Sequence, residues 1–178
     1  MKTIKTIYLP FSIKSLEPFS FAECSSLTVV IIPNSVTKIG DSSFDNCISL
    51  VEIEIPSSVI SIGKLAFHNC SSLKQIAIPS SVSSIGCGIF SDCLSLKQIS
   101  ISSSIKIIKS WSFQNCRDLE KPFTFCKCSS LKKIIIPSSI SSIGESAFKE
   151  CTLLNEIKIP TSVSTIGKEA FMGCSSLV

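Results

Sequence analysis

Apolar residues recur along this chain in one fixed frame. The stretches "CSSLKQIAIPSSVSSIGCGIF" (70–90) and "CSSLKKIIIPSSISSIGESAF" (128–148) repeat it almost unchanged. Cysteine opens each unit, at Cys24, Cys47, Cys70, Cys93 and Cys116, then at Cys128, Cys151 and Cys174, with successive members of each series 23 residues apart. Counted from the cysteine, the unit reads C-S-S-L-x-x-I-x-I-P-S-S-V-x-S-I-G-x-x-A-F-x-x. Met1 stands where an earlier cysteine would. Repeats therefore start at 1, 24, 47, 70, 93, 116, 128, 151 and 174, the last one partial, and 1–178 form a single repeat domain with no linker.

The segment L-x-x-I-x-I, as in Leu131, Ile134 and Ile136, ends in period-two alternation, which predicts a short strand with one buried face. Proline follows at once (Pro33, Pro56, Pro79, Pro137, Pro160) and, lacking an N–H, ends the strand. The next apolar pair, such as Val82 and Ile85, points inward from a loop or a second short extended segment. Glycine then recurs at Gly40, Gly63, Gly86, Gly144 and Gly167, where a turn with φ > 0 is predicted. Phenylalanine closes each unit, from Phe21 and Phe44 through Phe125 to Phe171. No single unit can bury its own apolar residues. Stacked about 4.8 Å apart, the strands pair in parallel and each apolar position becomes a column. The predicted architecture is an α/β repeat solenoid, a right-handed superhelix with a parallel β-sheet on its concave face and irregular or short helical turns on its convex face.

The strand segment resembles that of leucine-rich repeats. Combined with P-S-S-V-x-S-I-G-x-x-A-F-x-x-C, it resembles the BspA-like subclass over essentially all 178 residues. The resemblance implies surface-exposed proteins of anaerobic bacteria and parasitic protists, and adhesion or host-protein binding. It brings no catalytic motif.

Composition narrows the function classes. Hydrophobic residues make up 44% and charged residues 17%, so the chain is expected to fold. The net charge of +4 comes from interspersed lysines and acids, without the basic block of a nucleic-acid binder. No apolar run of about 18 residues is present, so no membrane insertion is expected. The start, "MKTIKTIYLPFSIKS", is not read as a signal peptide. Ten cysteines invite disulfides or zinc, but eight of them share one repeat position. Parallel side chains about 4.8 Å apart are poorly placed for a bond that needs Cβ atoms near 3.8 Å. A buried, reduced column of thiols is expected, with Cys87, Cys126 and Cys174 the accessible ones. Cys126-Lys127-Cys128 lacks a second ligand pair, so no metal and no other cofactor is implied. His68, the single histidine, is expected to be a solvated loop residue without catalytic partners. Glu52 and Glu54 are expected on a solvated strand face. An enzyme is not expected.

The frame breaks once. The repeat from Cys93 has Ser102 for proline, Lys109 for glycine and the single tryptophan, Trp111. The next, "CRDLEKPFTFCK", keeps only 12 residues, with Pro122 at a strand isoleucine position. A local binding site around Trp111, Pro122 and Phe123 is one reading, and wear of a repeat array is the other.

In the strand, inward positions barely vary and outward ones do. Position 8 reads Tyr8, Ile31, Glu54, Ala77, Ser100, Phe123, Ile135 and Lys158, and position 6 includes Glu52, Gln75, Gln98 and Lys133. Varied side chains on a regular scaffold suit a protein ligand, with Tyr8, Ile31, Phe123 and Ile135 as apolar anchors. Two functions stay open: a binding module at the cell surface or in a secreted protein, and a cytoplasmic scaffold or array without an external ligand. The sequon Asn69-Cys70-Ser71 points to a secretory setting. Uncapped apolar columns at Ile7, Leu9 and Phe21, and at Ile157, Ile159 and Phe171, predict end-to-end self-association or a natural protein that continues further.

Overall fold

The computed structural model describes residues 5–113, 131 and 133–178. Pro122, Phe123, Phe125, Cys116, Cys126 and Cys128 lie outside these residues. The chain winds as a solenoid of short parallel strands. The first coil carries β1 (Thr6–Tyr8) and β2 (Ser15–Leu16), and the second β3 (Val29–Ile31) and β4 (Lys38–Ile39). The third carries β5 (Ser61–Ile62), the fourth β6 (Gln75–Ala77) and β7 (Ser84–Ile85), and the fifth β8 (Gln98–Ser100) and β9 (Ile107–Ile108). Then come β10 (Lys133–Ile135) with β11 (Ser142–Ile143), and β12 (Glu156–Lys158) with β13 (Thr165–Ile166).

The L-x-x-I-x-I strands form the first ladder. Its register follows the repeat, with Thr6 opposite Val29, Gln75 opposite Gln98 and Lys133 opposite Glu156. A second ladder comes from the S-I pair after the proline, with Ser15 opposite Lys38, Lys38 opposite Ser61, and Ser61 opposite Ser84. The second extended segment is therefore a strand.

No helix occurs among the described residues, and this corrects the expected helical turns. Positions 19 and 23 of the unit adopt positive φ, as at Phe19, Glu23, Asn46, Asn69, Asp92 and Glu150. L-residues leave the helical region there. Every second backbone N–H in this arc then donates to the following coil, as from Phe21 to Ser43 O (2.8 Å), Phe44 to Ala66 O (2.9 Å) and Phe90 to Ser112 O (3.0 Å), while those between donate back three residues, as from Ala22 to Phe19 O (3.1 Å). The third wall is thus also a ladder between coils.

Gly40, Gly63, Gly86, Gly144 and Gly167 do not have positive φ, contrary to expectation. Close approach is what they serve. A Cβ on Gly86 would stand 2.2 Å from Lys64 N and 2.3 Å from its Cα, and one on Gly63 2.5 Å from Asp41 N. The obstacle is backbone, which cannot swing aside.

Columns of side chains fill the interior. Phe21, Phe44, Phe67, Phe90, Phe113, Phe148 and Phe171 stack in parallel with ring centroids 5.2–5.7 Å apart. Aromatic pairs at this spacing add about 0.5–1.5 kcal/mol each beyond area burial. Cys47, Cys70, Cys93 and Cys151 are buried and unbridged, and each thiol donates to a phenylalanine carbonyl of the neighbouring coil at 3.0–3.2 Å. This bond accounts for a thiol where alanine would fill similar space. Burial first of all raises the Cys70 and Cys93 thiols well above their ordinary range, and Cys47 to about 12, so they stay protonated. Cys24 is half-buried and joins Cys87 and Cys174 among the more accessible thiols.

Phe113 stacks directly on Phe148, and Ser139 Oγ donates to Ile105 O across 34 residues, where the regular bond from Ser35 to Ile13 O spans 22. The coil of β10 therefore packs on the coil of β8. The frame break leaves two marks nearby. First, β7 and β9 fall in different sheets, so the second ladder is interrupted where Lys109 replaces glycine. Its side chain begins with the Cβ that the glycine coils exclude. Second, Ser104 Oγ bonds Ser80 O, and Ser81 Oγ is buried without a hydrogen-bond partner among the described residues. An orphaned hydroxyl of this kind costs about 1–3 kcal/mol.

Candidate functional site

Strand geometry decides which side chains meet solvent. The seventh and ninth positions of the unit point inward: Val30, Ile53, Ile76 and Ile134 are buried, as are Ile32, Ile55, Ile78 and Ile136. The residues between them point out. Tyr8 is 77% exposed, Ile31 49% and Ile135 72%. Glu52, Glu54, Gln75, Lys133 and Lys158 are exposed as well. Gln98 lies in β8 opposite Gln75. Pairing brings Tyr8 beside Ile31 and Ile135 beside Lys158, which separates the apolar residues into two groups.

Between the groups the face sinks. Ala77 and Ser100, paired across β6 and β8, are the small residues of the outward column. A hollow of about 1030 Å³ lies over this part of the face, lined by Ile31, Glu52, Glu54, Gln75, Ala77 and Ser100 among others. Here the first ladder is also at its weakest, because β3 pairs only with β1 and the third coil joins the fourth through a single bridge, Glu52 to Gln75. Two glutamates on one face repel each other and suit a strand poorly. Beyond the hollow, Lys133 Nζ holds both Glu156 carboxylate oxygens at 2.8 Å. That pair is exposed and adds little stability.

Trp111 is 45% exposed at a positive-φ position on the turn wall, away from the strand face, and its backbone N–H donates to Glu145 O at 3.0 Å. The structure therefore does not join it to the strand-face residues, and its expected companions Pro122 and Phe123 are outside the described residues.

His68 is the main correction at residue level. It is part-buried, not solvated, and spans three coils: Nδ1 meets Asp45 Oδ1 at 2.7 Å and Nε2 meets Asp92 Oδ2 at 3.2 Å. Its pKa is raised, chiefly by the hydrogen bond with Asp92; burial opposes the rise, and the bond with Asp45 adds to it. The clue was the spacing, since Asp45 and His68 share one repeat position 23 residues apart. Both ring nitrogens are occupied by carboxylates on opposite sides, which is the geometry of a clamp between coils. Among the described residues no group of three histidine, cysteine or acidic side chains is arranged to hold a metal ion. Asn69 Nδ2 donates to Asn46 Oδ1 at 2.7 Å, so the sequon asparagine is engaged within the turn wall. No helix among the described residues is long and apolar enough to cross a membrane.

The family model of the BspA type leucine rich repeat region, with six copies, matches residues 1–120 and 121–178. Among solved structures, the leucine rich repeat protein of T. pallidum is 31% identical with a TM-score of 0.86, over 97% of this chain and 78% of that one. A leucine rich cell surface protein from Faecalibacterium prausnitzii A2-165 is 27% identical with a TM-score of 0.62, over 98% of this chain and 59% of that one. The pneumococcal vaccine antigen PcpA, 22% identical with a TM-score of 0.54, shares the fold over 94% of this chain and 42% of its own. No curated protein sequence matches the chain. The 23-residue frame, the paired ladders and these likenesses agree, and the chain belongs to the BspA type leucine-rich repeat family.

Proposed function

We propose that this chain is a non-enzymatic protein-binding module of a cell-surface or secreted protein, and that its ligand lies along the strand face. One observation carries the reading: the inward columns hardly change, while the outward positions run from Tyr8 and Ile31 through Glu52 and Glu54 to Ala77, Ser100, Ile135 and Lys158. Packing fixes the first set and leaves the second free for recognition. Two apolar groups flank a hollow with acidic walls, which gives a protein ligand both anchors and a place to enter. The cell-surface name of the Faecalibacterium relative supports the location.

Purified extracellular proteins immobilised on a sensor would test it, with wild type, the double variant Ile31→Asp/Ile135→Asp and a control variant, Lys149→Ala, passed over them. Saturable binding that the double variant loses and the control keeps is expected. Equal binding by all three, or no binding to any extracellular protein, would exclude the strand face. An antibody against the native protein on intact cells tests the location separately.

A further inference from the structure

We propose that the interruption of the second ladder is a second binding site, separate from the strand face, for an acidic segment of a protein partner. A hollow of about 340 Å³ runs over β4, β5 and β7 up to this break, where Lys109 closes it, and Lys38 and Lys64 line it as well. None of the three has an ion-pair partner among the described residues. Asp41 is the one acid in the lining, and its Oδ1 already accepts the backbone N–H of Lys64 at 2.8 Å. The hollow is therefore cationic by three lysines against one engaged carboxylate. Its position is no accident of the surface, since Lys109 both supplies a charge and, through its Cβ, prevents the close packing that would continue the ladder from β7 to β9.

Exposed apolar residues adjoin Lys109 along the chain, outside the lining of the hollow. On the same coil, Ile107 and Trp111 flank Lys109 two residues away on either side and are 47% and 45% exposed. At its repeat position Ile107 replaces the serine, lysine or threonine of the other coils. A free phosphate could answer the lysines but would leave Ile107 and Trp111 untouched. A peptide with carboxylates beside an apolar side chain uses both parts, with Trp111 as the aromatic anchor that interfaces favour. Each exposed charge pair contributes only about 0.2–1 kcal/mol, so affinity should depend on several acting together and fall with salt.

Trp111 is the single tryptophan and so reports on the site directly. The full chain would be titrated with a short peptide of alternating glutamate and leucine, and with its lysine–leucine counterpart, while Trp111 emission is followed. A saturable blue shift with the first and none with the second is expected. Raising salt from about 0.05 M to about 0.5 M should weaken it severalfold, because the Debye length shrinks from roughly 14 Å to 4 Å. Lys64→Ala/Lys109→Ala should bind about tenfold more weakly, whereas Ile31→Asp/Ile135→Asp should bind as wild type does. No shift with the acidic peptide, equal shifts with both peptides, or an unchanged affinity in the lysine variant would overturn the site. So would an equal shift from sodium phosphate alone or from phosphatidylserine vesicles.

Discussion

At Gly86 one missing carbon sets the distance between coils. A Cβ there would meet Lys64 backbone at 2.2 Å, so Gly86→Ala must either push two coils apart or strain both. Overpacking costs about 1–3 kcal/mol, and a backbone obstacle puts this case at the upper end. Denaturant unfolding should show a loss of about 3 kcal/mol, and a loss below about 0.5 kcal/mol would mean the coils separate freely at this point. His68 makes a second prediction, of pH dependence. Its pKa in the folded chain lies above the ordinary 6.5, through Asp92 first and Asp45 next. Among the described residues, Ser91 also faces the clamp, its hydroxyl donating to Asp92 Oδ2 at 3.0 Å, and the Asn46–Asn69 pair follows Asp45 and His68 in the chain. A raised folded value means that the stabilisation is complete below about pH 6.5 and is lost as pH rises through the folded pKa. Both aspartates must stay ionised, so the comparison belongs between about pH 5 and pH 8. Wild type should unfold at higher denaturant near pH 5.5 than near pH 8. His68→Gln should lose this difference, and its persistence there would assign the effect to other groups.

Among the elements, what could be read in advance divides by cause. The first ladder was legible because L-x-x-I-x-I alternates and proline ends it. The column of buried cysteines was legible because eight of them share a repeat position. The turn wall was not: Asn46, Asn69 and Asp92 suit the positive φ at position 23, but position 19 holds Phe19, Ser42, Leu65, Trp111 and Glu169, which share no residue type that announces the conformation. The glycine series misled for the opposite reason: a residue that usually signals φ > 0 is here required by the neighbouring coil. The outward positions of Tyr8, Ile31 and Ile135 followed from alternation alone, whereas the hollow between them needed the stacking order of small and large residues. The frame break at Ser102 and Lys109 was visible as sequence, and its consequence, a gap in one ladder, needed coordinates. The two ladders fail at different levels: the first is cut between β3 and the third coil and resumes with one bridge at Glu52, where β4, β5 and β7 are continuous, and the second is cut between β7 and β9, where β6 and β8 pair fully. Among the described residues no level loses both. Hydrogen exchange should therefore show the amides of Ile107 and Ile108 opening earlier than those of Ser61 and Ile62, both being short strands of the same ladder. Equal protection would mean that the break is bridged in solution.

For the whole molecule, the stack is a line of coils in which each touches only its neighbours, so stability is a sum of local terms and a cut in the middle uncouples the two sides. The phenylalanine column is the continuous element through that line, and Phe90 sits next to the level where the second ladder is already interrupted. Phe90 is fully buried, while Phe21 at the first coil is only partly so. Truncation at a buried phenylalanine costs about 3–5 kcal/mol, so Phe90→Ala should cost more than Phe21→Ala. The location matters more than the size. In wild type, far-ultraviolet circular dichroism of the whole chain and Trp111 fluorescence, which reports on the fifth coil, should follow one denaturant transition. In Phe90→Ala the fourth coil has lost a ring contact on each side, and its junction with the fifth coil already lacks one ladder. The Trp111 transition should then separate from the circular dichroism transition, while in Phe21→Ala the two should stay together. Coincident transitions in Phe90→Ala, at whatever midpoint, would show that coupling along the solenoid extends beyond neighbouring coils and that the two intact backbone ladders suffice to carry it.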